Sequence, residues 1–248
     1  MKHIFNKSTT ISETNNFSEW LKICNEEGGA ILINKETNWT SFDVVAKMRG
    51  ITKIKKIGHC GTLDPFATGL LILCLGKATK QIEIFQNLPK QYKTTIKLGA
   101  TTKSFDIEQP EENICDISEL KENEIIDAIN SFEGVIHQVP PMFSAKKVQG
   151  KKLYELARKN IAIELKPVEV KIYKLEINKI ELPFIELTIY CSKGTYIRAL
   201  ARDIGDKLKV GGYLTQLTRT KIGEHNVDTA FTINEINTFI VKITGLGI

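Results

Sequence analysis

Asp64 is the one carboxylate in the stretch Gly-His-Cys-Gly-Thr-Leu-Asp-Pro-Phe-Ala-Thr-Gly from Gly58 to Gly69, and the unbroken apolar run Leu70 to Leu75 follows at once. Such a run has the length and composition of a fully buried strand. An acid at the mouth of a buried strand is costly unless something pairs it. Pro65 fixes the turn just after the acid, while Gly58, Gly61 and Gly69 permit sharp turns or a close backbone approach. A carboxylate held in this way can serve as nucleophile or general base, although an Asp-Pro pair alone is also an ordinary turn. A phosphotransferase or hydrolase working through an aspartyl intermediate would want a second acid close by, and Phe66 stands at that Asp-x-Asp position. Neither a Walker lysine pattern nor a glycine-rich dinucleotide loop is present.

Cationic side chains lie close to this stretch. Lys47, Arg49, Lys53, Lys55 and Lys56 lead into it with no acid among them, and Lys146, Lys147, Lys151 and Lys152 surround Gly150. One such cluster is commonly just a solvated face. Two, one of them abutting the candidate acid, point to a phosphate backbone. The net charge of +5 would not establish this by itself. The four histidines and five cysteines are scattered without metal-ligand spacing, so neither a metal nor a cofactor is expected, and the cysteines read as reduced, mostly buried thiols. Hydrophobic content of 42% and charged content of 25% are ordinary for a globular protein. No long apolar segment follows the first residues, so no membrane anchor is expected and the cytoplasm is the expected compartment.

The elements that must position these groups are legible from periodicity. Residues 1–16 are polar and aperiodic and are assigned no fixed structure. Phe17, Trp20, Leu21 and Cys24 fall at helical spacing, ended by Gly28-Gly29, and read as a short surface helix in an N-terminal extension spanning 1–28. Ala30 to Ile33 reads as a strand, Ser41 to Arg49 as a capped helix, and Ala78 to Phe85 as another helix. Tyr92 to Leu98 alternates as a half-buried strand with Tyr92 at its mouth. The long loop Gly99 to Ile117 suggests a functional rim. An amphipathic helix over Glu124 to Phe132, strands over Val168 to Leu175 and Phe184 to Cys191, and a helix carrying Ile197, Leu200, Ala201 and Ile204 complete the pattern. The long connections imply an α+β fold with a mostly antiparallel sheet flanked by helices.

The Asp64 stretch, the Lys-Gln-Tyr-Lys run at Lys90 to Lys93 and the Ser-Lys-Gly-Thr-Tyr-Ile-Arg run at Ser192 to Arg198 together resemble, in that order, the tRNA pseudouridine-55 synthase (TruB) family. The resemblance covers roughly Gly29 to Ile233 and implies a pseudouridine-synthase fold, a catalytic domain over 29–248, and a basic RNA-binding insertion at about 138–167 that closes like a thumb. It implies isomerisation of uridine to pseudouridine at position 55 in the T arm of tRNA, by a monomer that flips the target base out of its stack. It gives Asp64 the role of catalytic carboxylate, and Arg198 that of holding the acid ionised. Tyr92 would stack on the base and is the candidate acceptor of the C5 proton. Tyr196 and Leu217 would line the pocket, His59 would contact RNA at the vacated position, and Lys35 and Lys146 would bind RNA. Whether Asp64 attacks C6, attacks the anomeric carbon or removes a ribose proton stays open. A non-catalytic tRNA-binding chaperone on the same fold is the alternative, against which the joint presence of Asp64, Tyr92 and Arg198 argues.

The chain departs from the family pattern in places. Glu36 stands where proline usually follows Lys35, and Thr218 stands where an arginine is usual in Leu217-Thr218-Arg219-Thr220. In the 99–117 loop only Asp106 matches, and it is given no role beyond shaping the rim. Bacterial relatives usually continue into a small carboxyl-terminal RNA-binding domain. Asn226 to Ile248 are too few residues for one, so a short form lacking it is expected.

Overall fold

The computed structural model describes residues 3–8, 13–144, 147–148, 151–153, 163 and 165–244. In chain order the elements begin with β1 (Ile4–Phe5), α1 (Glu13–Glu26), β2 (Gly29–Lys35), α2 (Ser41–Thr52), β3 (Ile57–His59), β4 (Thr68–Leu75), α3 (Ile82–Asn87) and β5 (Lys90–Leu98). They continue with β6 (Thr101–Thr102), β7 (Glu111–Glu112), α4 (Glu122–Asn130), β8 (Gly134–Gln138), β9 (Lys147–Val148), β10 (Lys151–Lys152) and β11 (Val168–Glu181). After these come β12 (Phe184–Cys191), α5 (Ile197–Lys207), β13 (Gly212–Ile222), β14 (His225–Asn226) and α6 (Ile233–Thr244). Two compact units divide the chain, one of residues 1–90 and 218–248 and the other of Gln91–Leu217.

The first unit is built on β4. Its apolar run is unbroken because both faces are covered: Leu71, Leu73 and Leu75 enter one core with α1, α2 and α6, while Leu70, Ile72 and Cys74 enter another with Ala78, Phe85 and Ile222. A strand buried on both sides has no face on which a polar residue could sit. β2 runs antiparallel along one edge, from Gly29 opposite Leu75 to Lys35 opposite Gly69. The other edge pairs with β3 antiparallel and, at Thr68 and Gly69, with β13 parallel. The sheet is therefore mixed, with antiparallel pairs and a parallel one.

The N-terminal segment differs from its sequence reading. Ile4–Phe5 adds a parallel strand to β2, and α1 starts at Glu13, ahead of the periodic residues Phe17 to Cys24. Phe5, Phe17 and Trp20 are buried: Phe5 meets Phe231 and Phe239, Phe17 meets Phe239, and Trp20 stacks on Phe5, with ring centroids 5.1–6.4 Å apart. Three large rings bury too much apolar area to be a surface addition, each contributing about 1.5–3 kcal/mol. The helical spacing of Phe17 and Trp20 marks an apolar face without saying what covers it, and Phe5 stands in polar sequence with no period to reveal it. Residues 76–81 also form a 3-10 turn before α3, where one continuous helix was expected.

In the second unit, β5 from Gln91, β12, β11 and β8 lie side by side, with the Gly212–Leu217 part of β13 next to β5. The β11–β12 and β11–β8 pairs are antiparallel. Helix α5 buries Ile197, Leu200, Ala201 and Ile204 on one face, as its spacing required. Within the 99–117 stretch β6 pairs with β7, and Glu111 receives bonds from both Lys97 and Tyr213. In the insertion, β9 and β10 pair as a hairpin. Lys146 and much of the expected insertion over about 138–167 lie outside the described residues.

Candidate active site

Asp64 sits half-buried on the loop joining β3 to β4. Backbone carbonyls around it are tied from several directions. Arg219 donates through Nη2 to Gly61 O at 3.1 Å and through Nε to Leu70 O at 2.7 Å. Ser41 Oγ accepts from Leu63 N at 2.9 Å and lies 3.3 Å from Leu63 O. Pro65 O accepts from Lys35 Nζ at 3.2 Å and from Asn38 N at 2.9 Å, and Phe66 O accepts from Thr37 Oγ1 at 3.3 Å. A loop with so many fixed carbonyls holds its acid in one place, which is what a reacting group requires. Gly69 is part of the same construction. Its φ is +103°, and a Cβ there would lie 2.3 Å from Arg219 O, so only glycine lets β13 come this close.

Lys35 was expected to bind RNA, and the structure puts its ammonium to another use. The residue is fully buried, and Nζ donates to Glu36 O, Trp39 O and Pro65 O at 3.0, 2.6 and 3.2 Å. The turn that proline would have stiffened at position 36 is thus held by a charged side chain pinning its carbonyls. His59, half-buried on β3, has its pKa held below the ordinary histidine value by burial and by the charge of Arg219, with the Gly61 backbone pulling weakly the other way. Cys60 and Cys74 pack with sulfurs 3.5 Å apart, and the hydrogen bond with Cys74, with burial after it, pushes the Cys60 thiol pKa upward.

The second unit carries the remaining expected residues. Arg198 stands in the first turn of α5, 4% exposed, with Nη1 3.4 Å from Asp106 Oδ2. Nη1 also donates to Ser104 O at 3.0 Å, and Nη2 to Phe143 O at 2.7 Å. Asp106, 1% exposed, accepts from Ser104 Oγ at 2.5 Å and from Glu108 N at 3.0 Å. Tyr196 caps the start of α5, and the buried Gln138 clamps its backbone: Oε1 accepts from Tyr196 N at 2.8 Å while Nε2 donates to Tyr196 O at 3.0 Å. Tyr92 on β5 and Leu217 on β13 are both buried. Asp64, His59 and Lys35 therefore belong to one unit, and Tyr92, Tyr196, Arg198 and Leu217 to the other.

Residues 49–197 match the family described as TruB family pseudouridylate synthase (N terminal domain). The chain belongs to the TruB family. It is 47% identical over 219 residues to the tRNA pseudouridine synthase B of Parabacteroides distasonis, covering 86% of this chain and 93% of that one. To the protein of the same name from Clostridium tetani it is 45% identical over 209 residues, covering 84% of this chain and 72% of that one. Among solved structures, a chain of a Cbf5-Nop10-Gar1 complex matches with a TM-score of 0.69 and 27% identity over 91% of this chain. This chain spans 59% of that one. An H/ACA ribonucleoprotein bound to a substrate RNA containing 2'-deoxyuridine gives a TM-score of 0.65 at 26% identity.

Sequence reading of this TruB-family chain missed four supporting residues. Asp106 had one signal, as the sole match in its loop, and Arg219 lay in a recognised strand beside the departure at Thr218. Ser41 was read only as a cap. The structure gives that cap to Thr40, whose side chain accepts from Asp43 N, and leaves Ser41 to hold Leu63. Gln138 carried no signal, since a lone glutamine at a strand end is unremarkable in sequence. At Thr218, the hydroxyl meets Thr68 Oγ1 at 2.8 Å.

Proposed function

We propose that this chain isomerises uridine to pseudouridine at position 55 in the T arm of tRNA, as a cytoplasmic monomer, with Asp64 as the catalytic carboxylate. Membership of the TruB family supports the reaction, and the tethering of Gly61, Leu63, Pro65 and Phe66 about Asp64 is the observation that carries the residue assignment. No helix among the described residues is long and apolar enough to cross a membrane, and no group of three or more metal-ligating side chains occurs among them.

The reaction breaks the bond from ribose C1' to N1, turns the detached uracil, and joins C1' to C5. The C5 proton leaves and N1 gains one, so nothing is oxidised and no co-substrate is consumed. Asp64 serves as nucleophile or base. Family resemblance gives Tyr92 the base stack and the C5 proton, Arg198 the task of keeping the acid ionised, and Tyr196 and Leu217 the pocket walls. Two carbonyls and the Asp106 carboxylate seat the Arg198 guanidinium in one place, as a positioning role needs. Gln138 would hold Tyr196 by its backbone and leave the ring free for substrate. His59 enters as a neutral ring near neutral pH, suited to stacking where the flipped base has left. Flipping costs about a few kcal/mol, which backbone contacts must supply.

The test is to incubate the protein with unmodified tRNA, without metal or nucleotide, and map pseudouridine. Product at position 55 is expected. Product elsewhere only, or none, would overturn the reading.

A further inference from the structure

Phe42 is out of place for a residue that serves only the fold. It lies in the first turn of α2, whose buried side is Val44, Val45, Met48 and Ile51, yet its own side chain is 65% exposed and joins neither core of its unit. A single exposed apolar residue needs no explanation. What gives this one meaning is its neighbour: the Phe42 ring meets the His59 ring edge-on, with centroids 5.3 Å apart and planes at 90°. Two aromatic rings at right angles make a corner, in which a third flat ring can lie on one face while its edge meets the other. β3 fixes the floor of the corner, with His59 opposite Leu73.

The elements that meet at the corner also carry charge suited to a nucleic acid. Arg49, Lys53, Lys55 and Lys56 are exposed on the far end of α2 and on the connection that leads to β3. Asp43, the residue after Phe42, is held in a capping box, its Oδ2 accepting from Thr40 N and Thr40 Oγ1 at 2.8 and 2.7 Å. Exposed aromatics on a cationic surface are the means by which proteins take unpaired bases, since every base has a face to stack and a phosphate to neutralise.

We propose that Phe42 and His59 form a stacking corner that takes an unpaired nucleobase of the substrate RNA, next to the uridine that is flipped, and that Phe42 carries the stack. This rests on the tRNA-modifying function proposed above. Phe42 is a binding residue here, distinct from the residues assigned to chemistry.

The experiment measures affinity for unmodified tRNA in an Asp64→Asn background, so that no turnover intervenes, for Phe42 and for Phe42→Ala, Phe42→Leu and Phe42→Trp. Single-turnover rates at saturating tRNA are read in the active background. Loss of the stack predicts binding weakened about fivefold or more for both Ala and Leu, with Trp within about twofold of the parent. The salt dependence of binding keeps its slope, because no phosphate contact is lost, and the saturated rate changes by less than about threefold. Phe42→Ala binding within twofold of the parent would overturn the proposal. So would Phe42→Leu at parent affinity, which would mean apolar contact without stacking. Thermal unfolding stays unchanged, since the ring supports no core. A parent protein that makes no pseudouridine in tRNA would sink the functional reading itself, whereas an active parent with an indifferent Phe42→Ala would sink this inference alone.

Discussion

Replacing Asp106 by asparagine tests whether the buried carboxylate seats Arg198. The substitution keeps the shape and leaves an oxygen to accept from Ser104 Oγ and Glu108 N, now at 2.5 and 3.0 Å, but it withdraws the negative charge 3.4 Å from the guanidinium. Removing one partner of a buried ion pair costs about 3–5 kcal/mol. Arg198 keeps Ser104 O and Phe143 O as acceptors, which places the loss at the low end, about 3 kcal/mol, out of a total stability of about 5–15 kcal/mol. Denaturant unfolding measures this. Activity follows from release of tritium from tRNA labelled at uridine C5, because that hydrogen must leave when C5 joins the ribose. A displaced Arg198 is expected to lower the rate at saturating tRNA at least about tenfold, with RNA affinity nearly unchanged. The double variant Asp106→Leu with Arg198→Met separates the two roles. It should regain much of the stability, since two apolar groups leave no charge stranded, and none of the activity. An Asp106→Asn protein within about 1 kcal/mol and threefold of the parent, on an error below either margin, would refute the reasoning.

Other outcomes follow from the same contacts. Arg219→Met strips Gly61 O and Leu70 O of their donor, at about 1–3 kcal/mol for each buried acceptor left unmet. It should also raise the His59 pKa towards its ordinary value, read by NMR titration, because one cause of the depression is removed. Since the His59 pKa is lowered in the folded state, unfolded chains bind more protons in that range. The stability this contributes is complete above the unfolded value near 6.5 and is lost as pH falls through the folded pKa; acid unfolding of His59→Gln should show a shallower loss. Cys115 is exposed while Cys24, Cys60, Cys74 and Cys191 are buried, and burial pushes the Cys24 pKa up to about 12. Mass spectrometry after brief alkylation at neutral pH should find one label per native chain, at Cys115. Phe17→Ala should destabilise the first unit by about 3–5 kcal/mol, a loss that a separable N-terminal extension would not give.

Much of the fold was legible because periodicity reports burial directly. The run Leu70 to Leu75 had to be a strand covered on both faces, and alternation along β5 and helical spacing along α5 placed Tyr92 and Arg198 on their elements. In residues 1–28 the helical spacing of Phe17, Trp20 and Cys24 shows an apolar face but not what covers it, which is Phe5 together with Phe231 and Phe239 from the other end of the chain. The acid, the base-stacking tyrosine and the arginine stood out as sequence motifs. Their supports did not, because Asp106, Gln138, Ser41 and Arg219 act through single contacts with backbone or charge distant in sequence. Lys35 shows the reverse difficulty: its position was recognised, but burial and three carbonyl partners make it an internal tether where an exposed cation was expected.

Whether the Asp64 carboxylate makes pseudouridine in tRNA is decided by comparing the parent protein with Asp64→Asn on unmodified tRNA, mapping product by position and measuring RNA affinity in parallel. Pseudouridine at position 55 is expected from the parent and none from the variant, with affinity for RNA within about tenfold, roughly 1.4 kcal/mol. Turnover by Asp64→Asn near the parent rate would contradict the assignment of Asp64.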